Sequence, residues 1–377
     1  MRIETGIDVL EAQHFAALRG KRVGLITNQT GVDTSGRRTI DVLAKAEGMK
    51  LVAIFSPEHG IAASEDAAVV NNAKDTATGL PIYSLYGETR RPTDTMLQGV
   101  DALVFDIQDV GVRFYTYVTT MAYCMEAAAK HNIPFFVLDR PNPLGGEIIE
   151  GPILDADKLS FVGYFPMPVR YAMTLGELAK MFNAENKIGA DLHVVEMRNW
   201  RRVEMYWITG LPWIAPSPNL PGIANLIPYP GIEILQAGGV SVGRGTESAF
   251  LKFGAPWIKP EELLAELKRR SIAGVTFDAR TFTPKTGPYA GQKCEGVGLT
   301  VKERDEFRSM LMGLEIAEAL HKLYPQQFQI EKMIALLGSQ STVERLERGE
   351  DPKAIVAGWD GELAKFRAMR EKYLIYR

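Results

Sequence analysis

The chain has 377 residues, of which 46% are hydrophobic and 24% are charged, and its formal net charge is -3. This composition is ordinary for a globular protein, and the length is sufficient for two domains. The small net charge gives no indication of a nucleic-acid or membrane-surface partner, and no apolar run approaches the roughly 20 residues needed to span a bilayer.

The first 140 residues alternate between predicted strands and predicted helices. Apolar runs predict buried strands at 21–28, 51–56, 101–109 and 133–143. Helical spacing of apolar residues predicts helices at 37–47 and 114–132. Strands that alternate with helices indicate an α/β fold, in which helices cover both faces of a parallel sheet.

The second part of the chain continues with a helix and a strand and then changes character. Thr174 and Glu177 form a predicted capping box that begins a helix at 174–185, and a strand follows at 191–197. The segment 211–235 is crowded with prolines, so most of it cannot be regular structure. We place a domain boundary there, between a parallel-sheet domain at 1–215 and a smaller α+β domain at 216–377.

The two cysteines and the N-terminus carry little information on function. Cys124 and Cys294 lie far apart and show no metal-binding spacing, so we predict two buried thiols rather than a disulfide. The first ten residues, MRIETGIDVL, do not have the pattern of a signal peptide.

Polar side chains follow four of the predicted strands at the point where each strand ends. They are Asn28 with Gln29 and Thr30, Glu58 with His59, Asp106 with Gln108 and Asp109, and Asp139 with Arg140 and Asn142. In parallel α/β sheets, ligands bind beyond the carboxyl ends of the strands. The pattern therefore predicts one site at this edge, although such residues also cap helices and turn the chain.

Glu58 and His59 are the strongest catalytic candidates among these residues. A partly desolvated carboxyl group at the rim of an apolar sheet is suited to general-acid catalysis, and a neighbouring imidazole can orient it or a substrate. Pro57 and Gly60 predict a sharp exit from the strand. None of the five histidines falls in a HExxH or similar pattern, so we predict no metal site.

Motifs for other α/β functions are absent. The first strand is followed by NQTGVDTSGRR, which contains neither GxGxxG nor GxxxxGK[ST], and no GxSxG occurs in the chain. The glycine-rich segment 238–248 carries an arginine where a phosphate-binding loop has lysine. It is interpreted as a loop that presents Arg244 and Glu247, with a flexible turn as the alternative.

Many strings in the chain together resemble one enzyme family. They include GLITNQTGVD, IFSPEHG, VFDIQDVGVRFYTYVTTM, LDRPNPLGG, FVGYFPMPVRYAMTLGELA, SPNLP and SVGRGTESAF. In order and spacing they are similar to the exo-β-N-acetylmuramidase (NamZ-type) family. The resemblance implies a Rossmann-like domain with a smaller second domain and an active site in the cleft between them. It also implies release of N-acetylmuramic acid (MurNAc) from the non-reducing end of peptidoglycan fragments, without a cofactor.

The family's catalytic glutamate corresponds to Glu58, which we predict to be the general acid, assisted by His59. Glycoside hydrolysis usually needs a second carboxyl group, for which Asp106, Asp109 and Glu247 are the candidates. The lactyl carboxylate of MurNAc calls for a guanidinium. The predicted substrate-binding residues are Asn28, Gln29, Arg113, Tyr115, Arg140, Asn142, Arg170, Arg244 and Glu247.

The expected partners are MurNAc-containing glycans, with no nucleic acid and no membrane span, and the oligomeric state is open. The resemblance implies export to the cell envelope with a leader absent from this chain, and it leaves a cytoplasmic location open. The alternative function is a sugar- or nucleotide-binding α/β protein that does not hydrolyse its ligand. An oxidoreductase on a degraded dinucleotide motif is a third hypothesis.

Overall fold

A computed structural model describes residues 2–62 and 69–377 of the chain. Within these residues, seven strands form the larger sheet: β1 (Arg22–Thr27), β2 (Lys50–Ser56), β3 (Ala73–Lys74), β4 (Pro81–Ser84), β5 (Ala102–Asp106), β6 (Phe135–Leu138) and β7 (Leu192–Val195). Their spatial order is β3-β4-β2-β1-β5-β6-β7. All neighbours are parallel except β3 and β4. The predicted α/β fold with a parallel sheet is confirmed.

Helices pack on both faces of this sheet, which explains why its central strands read as continuous apolar runs. Helices α1 (Gly6–Ala12) and α2 (Thr39–Ala44) cover one face, where Leu25 and Val104 are buried. Helices α3 (Tyr117–Lys130) and α4 (Leu175–Glu185) cover the other, where Phe105 is buried. The predicted capping box of Thr174 and Glu177 is present at the start of α4.

A smaller antiparallel sheet and most of the remaining helices follow in the chain. Strand β10 (Cys294–Val301) lies between β8 (Lys252–Ala255) and β9 (Val275–Phe282). The helices are α5 (Ile223–Leu226), α6 (Tyr229–Ala237), α7 (Pro260–Arg270), α8 (Ser309–Leu323), α9 (Ile334–Leu337), α10 (Gln340–Glu347), α11 (Pro352–Ala357) and α12 (Asp360–Arg370). The smaller second α+β unit is thereby confirmed.

The two sheets share a core. One cluster of buried apolar side chains includes Phe105 beneath the larger sheet, Phe253 in the smaller sheet and Leu314 in α8. The C-terminal residues return to the first unit, where the Tyr376 hydroxyl donates to Asp139 Oδ2 at 2.6 Å. The predicted boundary after residue 215 stays a prediction, and the core runs across it.

Two local expectations need adjustment. Helix α3 begins at Tyr117 rather than near residue 114, so Arg113 to Thr116 form the segment that enters it. Helix α6 begins inside the proline-rich segment, with Pro230 in its first turn, where a proline removes no intrahelical hydrogen bond. Cys124 and Cys294 are buried thiols that form no disulfide. In the part of the chain that the structure describes, no helix is both long enough and apolar enough to cross a membrane.

Candidate active site

The chain turns sharply after β2, and the turn carries Glu58 and His59. The Gly60 amide donates to the Pro57 carbonyl at 3.1 Å, and both His59 (φ 70°) and Gly60 (φ 76°) adopt left-handed backbone conformations. This conformation is uncommon for a residue with a Cβ atom, and such strain is concentrated at functional sites. The turn leaves Glu58 partly buried and His59 buried.

Both side chains line a cavity of about 170 Å³ between the carboxyl ends of the parallel strands and the second unit. The first unit contributes Glu58, His59, Phe114, Tyr115, Thr116 and Val162. The second unit contributes Ser217, Leu220, Tyr229, Glu233, Arg244, Phe250 and Leu336. The cavity is therefore a cleft to which both halves of the chain contribute polar side chains.

The Glu58 carboxyl group is held from the segment that enters α3. The Thr116 hydroxyl donates to Glu58 Oε2. Behind it, the Tyr117 hydroxyl donates to the Pro216 carbonyl at 2.6 Å and accepts from Asn28 Nδ2 at 2.9 Å. Burial raises the pKa of Tyr117, so this phenol stays protonated as a donor. These contacts hold the residues around Glu58 in place.

The opposite wall carries an ion pair from the second unit. Glu233 lies on α6 and is buried, and the Arg244 guanidinium donates to its Oε1. The Arg244 guanidinium carbon also lies 5.3 Å from the centre of the Phe250 ring. Tyr229, one helical turn before Glu233, lines the same cavity. The cavity therefore places one carboxyl group on each wall and a guanidinium beside the second.

The structure brings together Glu58, His59, Tyr115 and Arg244 of the sequence-predicted site, whereas Asp106 and Arg140 lie outside this cavity. Asp106 is fully buried and accepts from Arg140 Nε at 2.6 Å and from Arg140 Nη2 at 2.9 Å. The Thr39 hydroxyl donates to the same carboxylate. Both charges of this pair are thereby satisfied by each other, which is a structural arrangement of neighbouring strand ends.

Three further predicted substrate contacts hold the backbone instead. Arg113 donates to the carbonyls of Pro152 and Met167 in the first unit and to those of Leu336 and Leu337 in the second. Burial lowers the pKa of Arg113 to about 9.

Asn142 donates to the Met173 carbonyl at 2.8 Å and accepts from the Leu144 amide at 2.9 Å. Arg170 donates to the Leu144 carbonyl and forms a 3.7 Å ion pair with Glu150. All three side chains are buried away from the lining of the cavity.

The remaining predicted residues lie around the cavity without lining it. Asp109 is buried, and its Oδ2 accepts from the Tyr171 hydroxyl and from the Gly111 amide. Burial raises the pKa of Asp109 to about 6 against the lowering effect of these donors. Gln29 donates to the Ala215 carbonyl, and Glu247 is exposed.

Glu233 and Thr116 line the cavity and were not among the predicted site residues. Glu233 is the single charged residue of α6, among buried apolar neighbours, and this was a usable signal. It was missed because the segment's prolines suggested irregular structure. Thr116 gives no comparable signal. Among the described residues, no group of three or more His, Cys, Asp or Glu side chains is arranged to hold a metal ion.

Comparisons with known proteins show which family the chain is similar to. The family model described as exo-β-N-acetylmuramidase NamZ, N-terminal, matches residues 23–224, and its C-terminal counterpart matches residues 227–376. The chain is 45% identical to the peptidoglycan β-N-acetylmuramidase NamZ of Bacillus subtilis (strain 168), over 100% of this chain and 92% of the relative.

Two solved structures of DUF1343 family proteins from Bacteroides fragilis NCTC 9343 are similar over the whole chain. One superposes with a TM-score of 0.91 at 39% identity and the other with a TM-score of 0.81 at 32% identity. Each comparison covers 100% of this chain and 99% of the other.

Proposed function

The chain belongs to the exo-β-N-acetylmuramidase NamZ family, and from this we propose that it releases MurNAc from the non-reducing end of peptidoglycan fragments, with Glu58 as the general acid. It is a glycoside hydrolase. The observation that carries the assignment of Glu58 is its position: it lies on the rim of a cavity built by both units, held by the Thr116 hydroxyl. A non-hydrolytic sugar- or nucleotide-binding role is not favoured by this family.

In the proposed reaction, Glu58 donates a proton to the glycosidic oxygen as the bond from that oxygen to C1 of MurNAc breaks. The aglycone leaves as an alcohol with this proton. Water then adds its hydroxyl at C1, and its remaining proton returns Glu58 to the acid form, directly or through solvent. Glu233 is the carboxylate on the opposite wall, and it is our candidate for the second group. It would act on the water, on C1, or in support of the substrate's acetamido oxygen. Asp106 is the weaker candidate because it does not line the cavity.

The specificity for MurNAc is assigned to Arg244. MurNAc differs from N-acetylglucosamine (GlcNAc) by a lactyl ether that ends in a carboxylate, and a guanidinium binds such a group through two parallel hydrogen bonds. Arg244 lines the cavity, and Glu233 and the Phe250 ring fix its position. Its orientation is therefore set before the substrate arrives, which lowers the entropic cost of binding.

The experiment uses 4-nitrophenyl β-glycosides of MurNAc and of GlcNAc, with the release of nitrophenol as the readout. We expect release from the MurNAc glycoside only. Arg244→Lys keeps a positive charge beside Glu233 but loses the planar fork, so kcat/KM for the MurNAc glycoside should fall about tenfold. The matched control is Arg280→Ala, an exposed arginine of β9. Binding of MurNAc without release of nitrophenol would contradict hydrolysis.

A further inference from the structure

A tight turn forms the lip of the catalytic cavity on the side of the first unit. Ser160 and Gly163 exchange both backbone hydrogen bonds, at 3.0 and 3.1 Å, so the turn has two residues at its tip. One tip residue, Val162, lines the catalytic cavity. The other, Phe161, packs against Tyr86 with ring centres 5.9 Å apart. The tip of this turn therefore connects the cavity with the ring pair of Phe161 and Tyr86.

Arg90 lies over this pair of rings. Its guanidinium carbon is 4.1 Å from the centre of the Phe161 ring and 5.7 Å from the centre of the Tyr86 ring. Stacking holds the guanidinium plane while leaving its N–H edge available for hydrogen bonds. Tyr86 itself is anchored near the catalytic turn, because the preceding Leu85 amide donates to the carbonyl of Ser56 at the end of β2.

The charge of Arg90 is not neutralised within residues 2–62 and 69–377, where it forms no ion pair with any acidic side chain. Its sequence neighbour behaves differently. The guanidinium carbon of Arg91 also lies over a ring, 3.3 Å from the centre of Tyr123. However, Arg91 Nη2 forms an ion pair with Glu126 Oε2 at 2.9 Å. An exposed arginine that is held by two rings and lacks an acidic partner in this part of the chain is arranged to receive an anion from outside.

Beyond the same lip lies a groove of about 680 Å³. It is lined by Leu159 and Ser160 at the turn, by Tyr123 of α3, by Arg91, and by residues that follow α4. The catalytic cavity, the lip with Arg90 and this groove follow one another across the surface. Such a succession suits an extended ligand whose first sugar occupies the cavity.

We propose that Arg90 is a binding residue for the aglycone: it takes a carboxylate carried by the part of the glycan beyond the scissile bond. This inference rests on the proposed function. In a glycan that alternates MurNAc and GlcNAc, the sugar after the scissile bond is neutral, and the next acid belongs to the second MurNAc. That acid is the lactyl carboxylate itself or, where the lactyl group is amidated by a peptide, a carboxylate of the peptide.

Three substrates separate these sources. The disaccharide MurNAc–GlcNAc has no acid in its aglycone, the tetrasaccharide (MurNAc–GlcNAc)₂ has a lactyl acid there, and a tetrasaccharide with a peptide on the second lactyl group has only peptide acids. Arg90→Ala should lower kcat/KM about five- to tenfold for a substrate with the recognised acid and less than twofold for the disaccharide. Arg90→Lys should give an intermediate loss.

The matched control is Arg19→Ala. Arg19 is also an exposed arginine, and it precedes β1, so it lies at the amino end of the sheet, away from the cavity. A loss confined to the peptide-free tetrasaccharide identifies the lactyl acid, and a loss confined to the peptide-bearing one identifies the peptide. Equal kcat/KM changes for all three substrates, or none, would overturn the role of Arg90. Failure of the wild-type protein to cleave even the disaccharide would instead overturn the proposed function.

Discussion

At the scale of single residues, the contact between Thr116 and Glu58 connects the fold to the chemistry. The Thr116 hydroxyl donates to the carboxyl group that we propose as the acid, and it does so from the segment just before α3. A hydrogen bond to a catalytic carboxyl group restricts the orientation of that group. Its loss should therefore affect turnover more than folding.

Thr116→Val removes this donor with little change in shape, and we expect kcat for the disaccharide to fall about tenfold. Thr119→Val is the matched control on α3, because the Thr119 hydroxyl is buried and has no hydrogen-bond partner among the described residues. Replacing that hydroxyl should preserve kcat and raise the free energy of unfolding. Equal kcat values for the two variants would contradict a positioning role for Thr116.

A second residue-scale prediction concerns Asp109 and pH. Burial raises the pKa of Asp109 from 3.8 to about 6 in the folded protein. Because the folded state binds this proton more tightly, the resulting stability is fully present below about pH 4 and is lost as the pH rises through about 6.

Asp109→Asn does not titrate. As the pH rises from 4 to 8, the free energy of unfolding of the variant minus that of wild type should therefore increase by about 2 to 3 kcal/mol. Asp139, whose pKa burial also raises to about 6, titrates in both proteins and cancels in the difference. Denaturant unfolding at several pH values checks this. A difference between the two proteins that does not change with pH would contradict it.

At the scale of elements, the position of Glu233 depends on how α6 crosses α8. The two helices meet at glycines: a Cβ atom at Gly313 would lie 2.3 Å from the Gly231 carbonyl oxygen, and one at Gly231 would lie 1.9 Å from the Ser309 carbonyl oxygen. Backbone contact of this kind leaves no space for a methyl group. Glycine at the crossing therefore sets the depth at which α6 presents Glu233 to the cavity.

Gly313→Ala should force α6 and α8 apart, lower the free energy of unfolding by about 3 kcal/mol and reduce kcat/KM by displacing Glu233. The control is Gly361→Ala in α12, where a Cβ atom would meet no atom within 4 Å. That change should stabilise the protein by about 0.5 kcal/mol through the unfolded state. Thermal unfolding and kcat/KM are measured for both variants. A Gly313→Ala protein with the stability and activity of wild type would refute the tight crossing of α6 and α8.

The elements of the first unit were predictable because each central strand is an uninterrupted apolar run followed by polar residues. The same pattern does not show what Asp106 and Arg140 contact. Both follow strands of the sheet, and their sequence positions do not reveal that β5 and β6 are neighbours whose ends neutralise each other. Glu233 and Arg244 could not be placed opposite Glu58, because that requires the packing of the second unit on the first.

At the scale of the whole molecule, the two units behave as one body in their packing. A single apolar cluster includes both sheets, and Arg113 donates to carbonyls of both units. The C-terminal Ile375 amide donates to Glu177 of α4 at 2.9 Å. Separating the units would expose apolar core and leave buried carbonyls without donors, so the units should unfold together.

We therefore expect one calorimetric transition for the full chain, with a calorimetric enthalpy close to the van't Hoff enthalpy. Arg113→Met should lower the midpoint of that transition without dividing it, because four carbonyl groups lose their donor in one step. Two resolved transitions in the wild-type protein would show instead that the units are independent.

The role of Glu58 as proton donor is tested most directly with two substrates whose leaving groups differ in their need for protonation. Glu58→Gln is compared with wild type on MurNAc–GlcNAc, whose leaving alcohol requires protonation, and on 2,4-dinitrophenyl MurNAc, whose leaving group does not. We predict that kcat/KM falls about 1,000-fold for the disaccharide and less than about tenfold for the aryl glycoside. Glu347→Gln, at an exposed glutamate that is not among the predicted site residues, serves as the control. Equal losses for both substrates would contradict the assignment of Glu58 as the general acid.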